Sequence, residues 1–407
     1  MKEKQTITSL LIKGLLVFSI LTILQGVNYL EDINKIWLAI ISSVILMRLY
    51  TYHYTPMQLL VLGMTFVLHL IALYFTDFPL YHLNILFYFL LWMLLYLYII
   101  KSKDTIGCIL AHSDRYIRLV LWVWTLIVGI SALFPSSYRE NYFISLTGSS
   151  FRLMPSVLVI SALAMYMVIS KKNKKYNAFL ILPMFAAFMN QSRTYFGIFI
   201  IFYVMYLYMR VKSKKNFYLM LLPLLMIGML FVIIGGISDK IAETQYTENS
   251  YFDYWGTITS GRTIFWKYDI EAFFALPFWQ QFVGNGFNFV YDVSGMYMNN
   301  PVWAHNDIIN LLMNFGYIGV ALYLWVYCKM VGVFWPKNNN IPLFVKACFH
   351  GAVFINSMFN MSYTYFCAVI AYPLFLYVIE ARYETDAYTA DKKEVLENGQ
   401  EKKHLEC

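Results

Sequence analysis

Apolar residues in this chain run in blocks of roughly 17–24, about the length a helix needs to cross ~30 Å of hydrocarbon. Polar residues gather in the short gaps between the blocks. Twelve spans fit this pattern, at about 7–29, 33–50, 57–75, 80–100, 117–134, 153–170, 176–190, 194–209, 217–237, 306–328, 341–359 and 361–379. The pattern predicts an all-α polytopic membrane protein with one transmembrane domain over 1–380. The remaining 381–407 reads as a charged, disordered cytoplasmic tail. The first block follows Met1-Lys2-Glu3-Lys4 and lacks a clear small-residue cleavage site, so it is expected to stay as an uncleaved span.

Two places depart from simple alternation of span and short gap. Residues 176–209 separate two cation clusters and must cross and return, either as two spans or as a re-entrant hairpin. Asn190-Gln191-Ser192-Arg193 stands at the tip, and Pro183 shortens or kinks the first arm. The other is the segment 238–304, far longer than any other connection, and loops beyond ~15 residues usually carry function. Arg262–Ala275 shows helical spacing, so short helices lying on the membrane are expected within this loop.

Charge settles the predicted orientation. Only 13% of the 407 residues are charged and 60% are hydrophobic, which excludes a soluble globular class. The net charge of +8 is concentrated in Lys101/Lys103/Arg115/Arg118, Lys171/Lys172/Lys174/Lys175 and Arg210/Lys212/Lys214/Lys215. These clusters fall on one side of the predicted bundle, which is the positive-inside pattern of a membrane protein. A nucleic-acid site would instead need basic and aromatic residues sharing one exposed surface. No nucleic-acid partner is expected. Both termini are expected to be cytoplasmic and 238–304 outside. That loop carries Lys240, Arg262 and Lys267 against seven acids, a net charge of −4, so an anion site there would rest on individual cations. The five cysteines form no CxxC pair and none lies in the long loop, which indicates neither a disulfide framework nor a zinc site.

Chemistry concentrates where the long loop meets the tenth span. His305 precedes Asn306 and Asp307, either of which makes a good helix N-cap. From there Asn306, Asn310 and Asn314 recur every fourth residue as a polar stripe running about 12 Å into the membrane. Amides in hydrocarbon need partners or a wet cavity, so the stripe either bonds between helices or faces substrate. Among seven histidines, His305 alone stands where a long outward loop joins a polar helix face. Its imidazole could serve as general base near neutral pH; the alternative is interface anchoring. His69 and His350 lie within spans and read as packing residues. Arg193 and Arg262 are the outward arginines best placed to grip a diphosphate by paired hydrogen bonds, against the alternative of interfacial snorkelling. Arg139 and Arg152, flanking the third outward loop, are weaker candidates, as are Asn306 and Asn310 for substrate. Gly284-Asn285-Gly286 reads as a tight turn and not as a phosphate loop.

These segments resemble the bacterial O-antigen and capsular polysaccharide polymerases of the O-antigen ligase-like superfamily. Gln191-Ser192-Arg193 is similar to the Ser-Arg that opens a span in that family. Ser260-Gly261-Arg262 with Trp266, then Gly284-Asn285-Gly286, resembles elements of its large outward loop. His305-Asn306-Asp307, with Gly316 and Gly319 downstream, resembles its His-Asn…Gly-x-x-Gly signature. The likeness covers roughly 140–330 at motif level. Where the family often has Asn-Pro-Asn, this chain reads Leu153-Met154-Pro155-Ser156, so the resemblance assigns no role to the loop around Arg152.

The resemblance implies inverting, metal-independent glycosyl transfer on the outer face of the bacterial inner membrane. A glycan would leave undecaprenyl diphosphate for a hydroxyl of an incoming lipid-linked repeat unit, with His305 as base and no cofactor. Implied partners are undecaprenyl-diphosphate-linked oligosaccharide, membrane lipid and a chain-length regulator protein. An O-antigen ligase, delivering glycan to lipid A-core, would use the same donor. A lipid-linked oligosaccharide flippase, from a different class, would be expected to show inverted repeats and helices broken near the midplane.

Overall fold

A computed structural model describes residues 2–21, 24, 40, 42–45, 53–133, 150–190, 192–211, 213–234, 261–299, 301–336 and 340–397. Every regular element among them is helical: α1 (Lys2–Leu21), α2 (Pro56–Tyr74), α3 (Ile85–Ala111), α4 (Asp114–Leu133), α5 (Ser150–Ile169), a 3₁₀ turn (Lys174–Asn177), α6 (Ala178–Met189), α7 (Arg193–Arg210), α8 (Lys214–Ile234), α9 (Arg262–Ala275), α10 (Phe278–Val283), α11 (Phe289–Met298), α12 (Asp307–Phe334), α13 (Leu343–Asn360) and α14 (Phe366–Glu397). The chain is an all-α polytopic membrane protein. Pro56–Tyr74, Ile85–Ala111, Asp307–Phe334 and Phe366–Glu384 are each long and apolar enough to span a bilayer. The predicted segments at 57–75, 117–134, 153–170, 194–209, 217–237 and 341–359 coincide with α2, α4, α5, α7, α8 and α13 to within a few residues. Most of the predicted span 33–50 lies outside the described residues. α14 runs on as helix to Glu397, so the segment after 380 begins helical where irregular chain was expected.

Local chemistry explains the helix starts. Thr55 caps α2 in a reciprocal box with Gln58, and Pro56 occupies the first turn, where its missing N–H costs nothing. α5 packs along α14, and α13 along α7. α5 is buried on almost every side from Leu153 to Val168, the mark of a central helix. α2 instead exposes Leu59, Leu60, Phe66, Val67 and Leu70, an apolar face suited to lipid.

The bundle has two chemically different ends. At one, cations hold the last carbonyls of helices: Lys171 Nζ donates to Ala111 O at 2.7 Å and Lys103 Nζ to Val333 O at 3.0 Å. Lys103 also pairs with Glu380, and Lys171 with Asp114 at 3.0 Å. Arg210 Nη1 donates to Asn177 Oδ1 at 3.0 Å. α6 and α7 therefore form an antiparallel hairpin, with Asn190 ending one arm and Ser192 and Arg193 opening the other. The 12 residues of α6 rise about 18 Å, short of a bilayer's ~30 Å core, so α6 is the shortened arm. The 18 residues of α7 carry Arg193 about 25 Å from Arg210, at the opposite end of the bundle.

α12 is broken. Gly316 has φ 64° and ψ −164°, so the helix stops after Phe315 and restarts in a new direction. The Gly284-Asn285-Gly286 turn sits at the break, where Asn285 N donates to Met313 O at 3.0 Å. The approach is backbone against backbone. A Cβ on Gly284 would lie 2.3 Å from Asn314 C, one on Gly316 2.4 Å from Phe282 C, and one on Gly286 2.8 Å from Phe75 C. The turn anticipated from the sequence is thus a docking element that pins the long connection to α12, α2 and α10.

Candidate functional site

α9 begins at Gly261, whose φ of 83° suits a residue without a side chain, and Arg262 occupies its first position. The helix N-terminus adds partial positive charge beside that guanidinium. Trp266 follows one turn later, and its indole N–H donates to Ala304 O at 2.6 Å. The ring also packs on Phe359 of α13, with centroids 5.6 Å apart. Farther along, Asp269 and Phe273 are buried, and Phe273 belongs to a small apolar cluster with Val290, Val293, Ala304, Ile309 and Met313. α9 thereby lies across the start of α12.

Between Ala304 and the helix comes His305, with φ 51°, left-handed backbone that costs a non-glycine residue roughly 1–2 kcal/mol. Its neighbours fix it on both sides. Ala304 is fully buried. Asn306 caps α12, its Oδ1 accepting from Ile308 N at 2.9 Å and Ile309 N at 3.1 Å. Burial pulls the His305 imidazole down to about 4, and the charge of Arg262 adds to the effect. The imidazole is therefore neutral at pH 7 in the ligand-free protein, lower than the near-neutral titration anticipated for it.

Arg262 in turn is lowered from its ordinary value, first by burial and also by the like charge of Arg193, while Tyr365 and Tyr195 act in the opposite direction. Three residues singled out from the sequence, Arg193, Arg262 and His305, thus converge from three separate segments within electrostatic reach. Tyr195 and Tyr365 join them. Tyr195, two residues beyond Arg193, could have been found by its position on the hairpin arm. Tyr365 stands in the short turn before α14 and gives no sequence signal.

The asparagine stripe is differently employed. Asn306, Asn310 and Asn314 are all fully buried. Asn306 Nδ2 contacts Met358 Sδ at 3.6 Å besides its capping role, and Asn310 Nδ2 donates to Tyr363 OH. Asn314 has no partner for either amide atom among the described residues. The interhelical-bonding alternative describes Asn306 and Asn310, and neither amide faces solvent. Asp307 is buried and saturated: its Oδ2 accepts from Tyr323 OH at 3.0 Å and from Ser362 Oγ, its Oδ1 from Tyr363 N at 3.4 Å. The packing reading of the two histidines within spans agrees with their contacts. His69 Nδ1 lies 2.7 Å from Thr65 O among Phe89, Phe287 and Phe315, and His350 Nδ1 lies 3.0 Å from Tyr327 OH. Arg139 is outside the described residues, and of Arg152 only its place in the first turn of α5 is described.

Sequence reasoning missed Asp269. The residue is 1% exposed and neither carboxylate oxygen has a partner among the described residues. Burial pushes it up to about 7. The spacing Arg262–Trp266–Asp269–Phe273 could have placed it on the packed face of α9, but it was counted only as one acid of the loop.

Residues 178–324 match the family model described as O-Antigen ligase, which agrees with the O-antigen ligase-like superfamily that the motifs resemble. The matched stretch begins with α6 and ends within α12, and so contains Arg193, Arg262 and His305. It supports an O-antigen-related membrane enzyme of glycosyltransferase type. No curated protein matches the chain.

Proposed function

We propose that this chain is a polymerase joining undecaprenyl-diphosphate-linked oligosaccharide repeat units on the outer face of the bacterial inner membrane. The observation that carries the reading is the convergence of two arginines and a neutral imidazole at the end of the bundle opposite the lysine-rich end. The positive-inside rule assigns that lysine-rich end to the cytoplasm.

In this reading Arg193 and Arg262 hold the donor diphosphate. An acceptor hydroxyl attacks C1 of the donor's reducing-end sugar from the face opposite the diphosphate. The C1–O bond breaks with its electron pair leaving on undecaprenyl diphosphate, and the hydroxyl proton passes to His305. Two guanidinium groups stabilise the charge that grows on the leaving group, where preorganised donors count most. Configuration at C1 inverts. Imidazolium formation becomes easier once the bound diphosphate offsets the charge of Arg262, so donor binding itself strengthens the base.

A second reading is favoured by the description of the matching family: a ligase that delivers the same donor's glycan to lipid A-core. The break in α12 is a feature a transporter could share. Here, however, the Met313 carbonyl accepts from Asn285 N and the glycine turn packs backbone against backbone at the break, which favours a structural joint. Gel analysis of surface polysaccharide after deletion separates the three. Single-unit glycan still attached supports the polymerase. Absence of attached glycan supports the ligase, and repeat units trapped in the cytoplasm support a flippase.

A further inference from the structure

His305 adopts an uncommon backbone conformation, and the carbonyl just before it is engaged by the helix that carries Arg262. The Trp266 indole N–H meets the carbonyl of Ala304 at 2.6 Å, immediately before His305. On the other side, the Asn306 side chain locks the first turn of α12. His305, with φ 51°, is thus suspended between two fixed points. Trp266 is itself braced by the Phe359 ring of α13. Arg262 and Trp266 are four residues apart on α9, so they lie one above the other on the same face. One helical turn therefore sets both the guanidinium and the carbonyl that aims the imidazole.

We propose that Trp266 is a positioning residue for the transfer reaction: its N–H, anchoring Ala304 O, keeps His305 directed toward the site beside Arg262. The role requires the N–H donor, and a ring filling space would not suffice. A carbonyl freed of this bond could rotate, and the 304–306 backbone would relax from the left-handed geometry toward commoner conformations. The base would then drift while the diphosphate grip stayed intact. This inference rests on the polymerase reading above for its kinetic consequence, but not for its structural one.

The test uses the purified full chain in nanodiscs. Two variants are compared with wild type: Trp266→Phe, and Trp266→3-benzothienylalanine, which keeps the bicyclic ring and puts sulfur where the N–H stands. Lipid-linked repeat units extracted from cells lacking this chain serve as substrate. In parallel, histidine labelled with ¹³C at Cε1 reports on His305, its resonance identified by its loss in His305→Gln. Both variants should lose at least about tenfold in kcat, as small misplacements of a reacting group do. Donor KM should stay within about threefold, since diphosphate binding is untouched. The His305 resonance and its titration midpoint should move in both.

Wild-type kcat and an unmoved His305 resonance in the benzothienyl variant would overturn the proposal, even if Trp266→Phe unfolds or loses activity. Equal losses in kcat and in Tm, without a shift at His305, would do the same and reduce Trp266 to a packing residue. If the resonance moves in both variants while the wild-type chain makes no polymer from these lipids, the positioning role stands and the polymerase reading fails.

Discussion

Protonating His305 in the ligand-free protein should be costly, and the cost can be measured. A shift from 6.5 to about 4 corresponds to about 3 kcal/mol of preference for the neutral ring, at 1.36 kcal/mol per unit. The larger part comes from removing the imidazolium from water and the smaller from Arg262. Arg262→Gln should therefore raise the midpoint, yet leave it below 6.5 because burial remains. The unfolded chain binds this proton near 6.5 and the folded chain only near 4. Stability from this group is thus full above pH 6.5 and falls as pH drops through that window. Adding inorganic pyrophosphate to the wild-type protein should raise the midpoint by placing negative charge against both arginines, and should do so less in Arg193→Ala. The assay is a ¹³Cε1 histidine titration in nanodiscs from pH 3 to 9. In kinetics, the acid limb of kcat/KM, which reports the free enzyme, should lie below pH 5. At saturating donor, the limb of kcat should move to higher pH. A free-protein midpoint at or above 6.5 would refute the reasoning, since neither a desolvated ring nor a neighbouring cation could then surround His305.

Three other outcomes follow from the same structure. Arg193→Lys and Arg262→Lys should keep part of the polymerising activity and the alanine variants almost none, because lysine supplies charge without a bidentate fork; near-normal polymer from both alanine variants at matched protein levels would make the arginines merely interfacial. Gly284→Ala should cost roughly 2 kcal/mol or more, since its Cβ would meet Asn314 backbone at 2.3 Å at a φ of 82°; unchanged thermal stability in detergent would show that the turn does not dock in the α12 break. For Asp269, held near 7 in the fold against 3.8 ordinarily, the folded state binds the proton more tightly. Its contribution is therefore present below about pH 4 and lost as pH rises to 7, by up to roughly 4 kcal/mol; Asp269→Asn should flatten that part of the pH–stability curve, and an unaltered curve would place the carboxylate in water.

The parts of this fold that were legible in the sequence share a physical cause: each depends on residues close together in the chain. Membrane helices announce themselves by apolar length, and Arg262–Ala275 by its own spacing, so α9 appears at the predicted residues. The break at Gly316 was hidden because apolar residues continue at helical spacing through it, and an isolated glycine in such a pattern is commonly tolerated. Its cause is the backbone of Gly284 and Phe282, remote in sequence. The asparagine stripe shows the same division. Its four-residue period was visible, but Met358 and Tyr363, which engage Asn306 and Asn310, come from α13 and from the turn before α14. Asp269 was hidden for a related reason, since it is buried on a helix that packs against α11 and α12, both remote from it in local pattern.

What makes the site more than a gathering of suggestive residues is that its electrostatics run against folding. Arg193 opens one arm of the helical hairpin, Arg262 opens α9, and His305 precedes α12 in a left-handed conformation. Folding brings two like charges into reach of each other and partly buries both, and it sets a neutral imidazole beside one of them. The approach of like charges and the left-handed backbone each oppose stability on their own, and the cation beside His305 opposes its protonation. A snorkelling arginine would have no reason to approach a second one, because its head group can spread into the headgroup layer. An anion held between the two guanidinium groups would act against the charge terms. It offsets their repulsion, and it makes a proton on His305 easier to hold. In the proposed reading the arrangement is a receptor for a diphosphate whose arrival switches on the base, and interfacial anchoring alone gives no reason for the two arginines to meet.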